Sequence, residues 1–296
     1  FYFYFSRKIR ELRECGHEGT ARAYVSSLRS MQRYLGKKDF PFIKLSSRII
    51  SDYQGKLLAS GICDNTIGFY LHNIKALFRK GCREMGLELP CPFRDISIKT
   101  EKTLKRSLDP VVIKTLSAIE LEKDSPLSLA RDIFMFSFYT RGMSFVDIAL
   151  LKKRHVFPGE ICYRRHKTDQ LMRVGINKEI SRILERYKNV PGEYIFPLFP
   201  AERDPYAGYR SAYHRIRYSL GKISRVIGLE FPLRLHAARH SWATIAKVNG
   251  ASVHVIGECL GHTSEKTTRI YLKELDHSAL DAVNNQVADF ILAVDD

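Results

Sequence analysis

Apolar residues recur at three- and four-residue steps early in the chain. Ala21, Tyr24, Val25, Leu28, Met31 and Leu35 keep the period of a helix with one buried face. Thr20 is placed to cap its start and Gly36 to close it. A second helix is expected from Ser47 to Ser60, stopped by Gly61. A third starts near Asp64, carries Ile67, Tyr70, Leu71, Ile74, Leu77 and Phe78 inward, and ends around Gly86. An earlier helix is expected over Ser6–Cys15. Four such helices predict a small helical domain.

The pattern then breaks. "LELPCPFRDISIKTEKTLKRS" has two prolines and no helical period, which is the texture of a linker. Beyond it, "SPLSLARDIFMFSFYT" predicts a buried helix with Ser125 near its cap. "ICYRRHKTDQLMRVGI" alternates on both sides of "KTDQ" and predicts a β-hairpin, with Ile161, Tyr163 and Arg165 on one face. Further helices are expected over Asn177–Lys188, Tyr209–Val226, Leu235–Val248, Ser252–Leu260, Lys266–Leu275 and Ser278–Leu292. The fold class is therefore mainly α. A small N-terminal helical domain (1–95) and a linker (96–107) precede a larger domain (108–296), itself mostly helical with a small antiparallel hairpin.

Composition narrows the function. The chain of 296 residues is 45% apolar, enough for two domains with real cores, and carries a formal net charge of +16. Up to Arg106 there are 21 Lys and Arg against 10 Asp and Glu, a net of +11. The remainder holds 27 against 22, a net of +5. The shorter domain is the more basic, which favours a polyanion as its partner. Six cysteines are scattered without a CxxC pair, which speaks against a zinc ribbon or a disulfide framework and suits a reducing cytosol. No apolar run approaches the roughly 20 residues of a membrane helix. "FYFYF" is too short for a signal-peptide core, and its basic residues follow it.

The densest chemistry lies in "LRLHAARHSWAT". His236, Arg239 and His240 stand at i, i+3 and i+4, so on a helix they share a side. A solvated helix end is one reading. A zinc helix is another, although the residue beside the first histidine is Ala237 and not the glutamate that would act as base. An anion site is the third. Downstream, "LGHTSEKTTRIYLKEL" puts His262 after a glycine and Tyr271 nine residues later.

Taken in order, "HKT", "HAAR", "LGH" and "IYL" resemble the tyrosine recombinases, or phage integrases, over nearly the whole chain. The resemblance implies a SAM-like core-binding domain followed by a catalytic domain. It implies Tyr271 as nucleophile, Arg239 as a phosphate clamp, His236 and His262 as phosphate or proton partners, and Lys167 as general acid. The chemistry fits independently. Phosphoryl transfer needs positioning and charge neutralisation; a phenol can hold the phosphate as an ester; a guanidinium fork matches two phosphate oxygens. His240 beside the arginine reads as structural. In the basic domain, Arg29, Arg33, Lys75 and Arg79 are candidate DNA contacts.

One element departs from the family pattern. The family carries a first arginine in a stretch like TGLRxxEL, and here "YTRGMSFVDIALL" aligns Ser144 with it. Arg141, across a glycine, and Arg165, two residues before Lys167, are the candidate replacements.

The expected function is site-specific recombination of duplex DNA through a 3′-phosphotyrosyl intermediate, with neither metal nor cofactor. It would serve the integration, excision or inversion of a mobile element. The resemblance implies a tetramer on DNA, accessory bending or directionality proteins as possible partners, no membrane, and a nucleoid-associated place in the bacterial cytoplasm. A metal-dependent phosphodiesterase built on His236, His240 and His262, and a DNA-binding protein without catalysis, are the alternatives.

Overall fold

The computed structural model describes residues 1–99, 101, 107–199, 205–262, 264–272 and 287, without the side chains of 205–207, 270 and 271. The chain divides into two compact units, Phe1–Thr103 and Leu104–Asp296.

The first unit is built from α1 (Tyr2–Glu14), α2 (Glu18–Leu35), α3 (Ser47–Ala59) and α4 (Asp64–Glu84). α1 begins at Tyr2, not near Ser6. The aromatic run is its first turn, with Phe1, Tyr2, Tyr4 and Phe5 buried and Phe3 facing out. α2 begins at Glu18, before the cap expected at Thr20. Gly16 takes a φ of 74°, and the amides of Gly16 and His17 fold back on the carbonyls of Arg13 and Leu12. The turn is therefore complete by His17, and the next residues are free to be helical. Tyr53, Phe5, Met31, Leu71, Ile74 and Leu77 fill the core. Gly81 has a structural reason to be glycine: a Cβ there would overlap the Phe42 ring. Phe93 is buried in this same core, and Leu89, Cys91, Ile96 and Ile98 pack against it.

In the second unit α5 (Pro110–Ala118), α6 (Pro126–Tyr139) and α7 (Phe145–Ala149) lead into β1 (Val156–Phe157), β2 (Glu160–Arg164) and β3 (Leu171–Gly175). Then follow α8 (Lys178–Arg186), α9 (Pro205–Val226), α10 (Leu235–Val248), α11 (Val253–Leu260) and α12 (Glu265–Tyr271). The expected hairpin is present, with Ile161 opposite Val174 and Tyr163 opposite Met172. The short β1 extends it to a three-stranded antiparallel meander. α5 was not expected. Its nine residues are too few to display a period, and its start rests on a local device, the Asp109 carboxylate accepting from the Val111 amide with Pro110 at the first position.

α6 is the centre of this unit. Every residue from Asp132 to Ser137 is buried, so the helix is covered all round. Each large apolar side chain it buries, such as Phe134 or Phe136, contributes about 2–3 kcal/mol. The one charge in that stretch, Asp132, is satisfied by Arg131, by Arg186 at 2.5 Å and by the Tyr187 hydroxyl at 2.9 Å, which ties the end of α8 to α6.

α10 has two apolar faces. Ala237, Ala238 and Ile245 join the main core. Trp242, Ala243 and Ala246 join a separate small cluster with Ile256 and Leu260 of α11 and Leu272 after α12. α12 was expected to reach Leu275. It stops at Tyr271, where Leu272 turns extended, and 273–275 lie outside the described residues. The helix expected over Ser278–Leu292 also lies outside them, apart from Val287. No described helix is long and apolar enough to cross a membrane.

Candidate active site

Arg239 stands on the second turn of α10 and is 5% exposed. Its Nη1 donates to the Gly142 carbonyl at 2.7 Å. Its Nη2 donates to the Leu260 carbonyl at 2.5 Å and meets His262 Nε2 at 3.1 Å. These three acceptors are neutral, so they orient the guanidinium without cancelling its charge. The close approach depends on Gly142, where φ is 75° and a Cβ would lie 2.5 Å from Arg239 Cγ. The glycine of "TRGM" is thus required by the arginine of "HAAR", almost a hundred residues later.

α11 ends in a left-handed Gly261 with φ of 63°, and the His262 amide donates to the Gly257 carbonyl at 2.9 Å. The His262 ring is held between Arg239 and the Thr268 hydroxyl, whose Oγ1 is 3.0 Å from Nδ1. Burial, and then the charges of Arg239, Arg165 and Lys167, lower the pKa of His262 to about 4. The imidazole is therefore neutral in the free protein at neutral pH.

The hairpin supplies two more cations. Arg165 follows β2, is half-buried, and its Nη1 donates to the Gly261 carbonyl. Arg239 and Arg165 thus hold consecutive carbonyls, Leu260 and Gly261, at the end of α11. Lys167 lies in the exposed turn after Arg165, close enough for its charge to act on His262.

Ser144, in the position of the missing arginine, has a different occupation. It caps α7, and its hydroxyl donates to the buried Asp147 carboxylate at 2.6 Å. The other carboxylate oxygen accepts from the His166 amide at 2.8 Å, between Arg165 and Lys167. Asp147 therefore clips the hairpin to the start of α7, a role that no motif in the sequence announces. On a helix, Arg141 would lie one turn from Ser144 on a similar face. It is not helical: α6 ends at Tyr139, and Arg141 has a φ of 60° in the turn before Gly142. Its side chain runs to the Arg173 carbonyl on β3 at 3.5 Å, the outer limit of a hydrogen bond. The phenol of Tyr163, buried beneath these groups, has its pKa raised by burial and by Asp147, against the opposing charges of Arg165, Arg239 and Arg141.

His236 is exposed on the first turn of α10, edge-to-face with the buried His240 at 4.7 Å between ring centroids. Tyr271 is the last residue of α12, and its side chain lies outside the described residues. Among the described residues no three His, Cys, Asp or Glu side chains gather as metal ligands.

Residues 107–277 match the profile of the phage integrase family. The chain belongs to the phage integrase family. It is a tyrosine recombinase, an enzyme that cuts and rejoins DNA strands. Residues 1–93 match the phage integrase SAM-like domain. The tyrosine recombinase XerC of Shewanella oneidensis is 26% identical to this recombinase over 226 residues, 73% of this chain and 70% of the relative. XerD of Pseudomonas putida is 24% identical over 262 residues, 86% of each. A lambda integrase dimer bound to a COC′ core site superimposes with a TM-score of 0.69 at 18% identity, covering 93% of this chain and 98% of that one. The Tn1549 transposon integrase, in complex with a circular intermediate DNA, gives 0.71 at 15%, covering 96% and 98%. The integrase fold of both units follows from these likenesses.

In the SAM-like unit of this recombinase, Arg29 and Arg33 lie on α2 and Lys75 and Arg79 on α4, and the two helices pack together through an Asn73–Ser27 hydrogen bond of 3.0 Å. Arg29, Arg33 and Arg79 are exposed and Lys75 is half-exposed. Among the described residues none of the four enters an ion pair.

Proposed function

We propose that this recombinase cuts DNA by attack of Tyr271 on a phosphate held by Arg239, His262 and Arg165, for the integration, excision or inversion of a mobile element. The observation that carries the reading is the buried Arg239, oriented by carbonyls from the turn after α6 and the end of α11, beside a neutral His262. The Tyr271 oxygen bonds to phosphorus and the bond to the 5′ oxygen breaks, leaving a 3′-phosphotyrosyl ester and a free 5′-hydroxyl. Lys167, on the exposed hairpin turn, gives its proton to the departing 5′ oxygen. The exposed His236 takes the phenolic proton. A 5′-hydroxyl from the partner strand reverses the step. The ester retains the bond energy, so no nucleotide triphosphate is needed.

Arg165 serves as the second guanidinium in place of the family's first arginine. Its hydrogen bond to Gly261, next to His262, favours it over Arg141, which reaches β3 instead. Residues 1–95 grip the duplex through Arg29, Arg33, Lys75 and Arg79. Residues 108–296 perform the chemistry, with 96–107 joining the two. The exchange takes place in a tetramer on DNA, within the bacterial cytoplasm at the nucleoid, and accessory bending or directionality proteins set its outcome.

The test starts from a duplex selected for tight binding from a random-sequence pool and nicked at successive positions. Incubation in EDTA and denaturing electrophoresis read the covalent adduct. The parent should form it and Tyr271→Phe should not, while both bind the duplex alike. An adduct from the Phe variant would sink the assignment of Tyr271.

A further inference from the structure

Thr268 is buried completely, yet it is polar and belongs to a short helix. Its methyl and hydroxyl sit against the bare Cα of Gly257 on α11: a Cβ at that glycine would lie 2.8 Å from Thr268 Oγ1. The same Gly257 accepts the backbone amide of His262 at 2.9 Å. The Thr268 hydroxyl meets the ring of that histidine at 3.0 Å. Gly257, His262 and Thr268 therefore close a small circuit that joins α11, the loop after it and α12.

The proton positions in this circuit follow from donor chemistry. A guanidinium only donates, so the contact between Arg239 Nη2 and His262 Nε2 requires Nε2 to accept. Nδ1 then carries the proton and donates to Thr268 Oγ1. This choice matters for a phosphate. With Nδ1–H committed to Thr268, Nε2 is the nitrogen left to face Arg239 and whatever anion Arg239 holds, and on protonation it becomes a donor to that anion. A hydroxyl at residue 268 is satisfied by the neutral and the protonated ring alike. Thr268 is also three positions before Tyr271, one turn earlier in the same helix. Seating α12 against Gly257 thus brings up the residue that fixes the histidine together with the tyrosine.

We propose that Thr268 is a positioning residue that holds the His262 ring in the orientation in which Arg239 selects its tautomer, with Gly257 as the gap that admits it. Docking of the nucleophile-bearing helix and preparation of the phosphate-binding histidine then become a single event. The catalytic consequence rests on the reading of Tyr271 and His262 given above; the arrangement of the ring does not.

Two measurements separate these. In the full chain without DNA, labelled with ¹⁵N in the histidine rings, the His262 signals (assigned with His262→Asn) should report a protonated Nδ1 and an unprotonated Nε2. Thr268→Val keeps the shape but leaves Nδ1–H without its acceptor, so the ring should turn away from Arg239 and lose that signature. Thr268→Ser should keep it. With the selected nicked duplex, Thr268→Val should form adduct about 10- to 100-fold more slowly, by analogy with the loss on removing the outer hydrogen-bond partner of a metal-bound histidine. Thr268→Ser should stay within a few-fold of the parent. Gly257→Ala should resemble the Val variant in both measurements, because its methyl occupies the seat of the hydroxyl. An unchanged ring signature in Thr268→Val overturns the proposal, as does a Ser variant no better than Val. If the parent forms no adduct at all, the catalytic reading fails, and the ring signature still decides the role of Thr268.

Discussion

The two units use the same side chain in opposite ways. In the SAM-like unit Arg29, Arg33 and Arg79 stand exposed on their helices, outside any ion pair among the described residues. In the catalytic unit Arg239 is buried, with hydrogen bonds from its fork to Gly142, Leu260 and His262. An exposed guanidinium acts at a distance, by displacing counterions from a polyanion, and tolerates a shift of its own position. A buried one acts through geometry, and its worth depends on every carbonyl that aims it. Charge alone ranks the first unit as the functional one. Burial and hydrogen bonding transfer the chemistry to the second.

The largest effect expected from this contrast is at Arg239. Arg239→Ala should slow adduct formation at saturating protein by about 10³-fold or more, the scale of one guanidinium in phosphoryl transfer. Arg239→Lys should recover little of it, since an ammonium cannot reproduce the planar fork. A Lys variant within tenfold of the parent would show that only charge matters there, and the contrast would collapse.

Next come the two candidate surrogates. Arg165→Ala should be slowed by about 10²- to 10³-fold, and Arg141→Ala by less than tenfold, measured in the same assay. The reverse order would move the surrogate role to the turn at Gly142. Equal, parental rates would remove both.

Smaller again is the effect of the exposed cations. Arg29→Ala with Arg33→Ala should leave the cleavage rate at saturation unchanged while weakening binding. For every phosphate that the variant no longer neutralises, the slope of log affinity against log salt should flatten by about 0.9. A drop in saturated rate, with no change in salt slope, would make these residues part of the chemistry.

The smallest effect is on pH-dependent stability. His262 titrates near 4 in the folded protein, below the ordinary value of about 6.5 for a free histidine. Between those values the unfolded chain binds the proton and the folded one does not, so stability falls as pH drops through that window. His262→Asn should remove that share of the slope. Thermal unfolding of parent and variant at pH 7 and pH 5 measures it, and an equal loss in both would place the histidine outside the linkage.

The helices were legible where an apolar face repeats over several turns. α10 runs over Leu235–Val248, the span expected, and the Ser125 cap and the glycine stops at Gly36 and Gly61 are present. α5 was missed because nine residues make too short a period. The start of α1 was missed because a run of aromatics hides which of them points outward. In the site, the order of "HKT", "HAAR", "LGH" and "IYL" named the candidate residues. The partners of those residues were not legible: Asp147 beneath the hairpin, Gly142 under Arg239 and Thr268 behind His262 each lie in a different segment from the group they support.

By itself the sequence determined the helical class, the family and the chemical inventory, because periodicity, caps and motif order are local properties of the chain. Tertiary structure alone decided what that inventory can do together. Ser144 became a helix cap in place of a phosphate ligand because Asp147 lies one turn on and the hairpin amide of His166 reaches the same carboxylate. Arg165 came beside His262 because the β2–β3 register carries it to the end of α11. Hydrogen bonds between segments roughly 20 to 100 residues apart depend on how the cores pack, and no pattern along the chain encodes the distance between their ends.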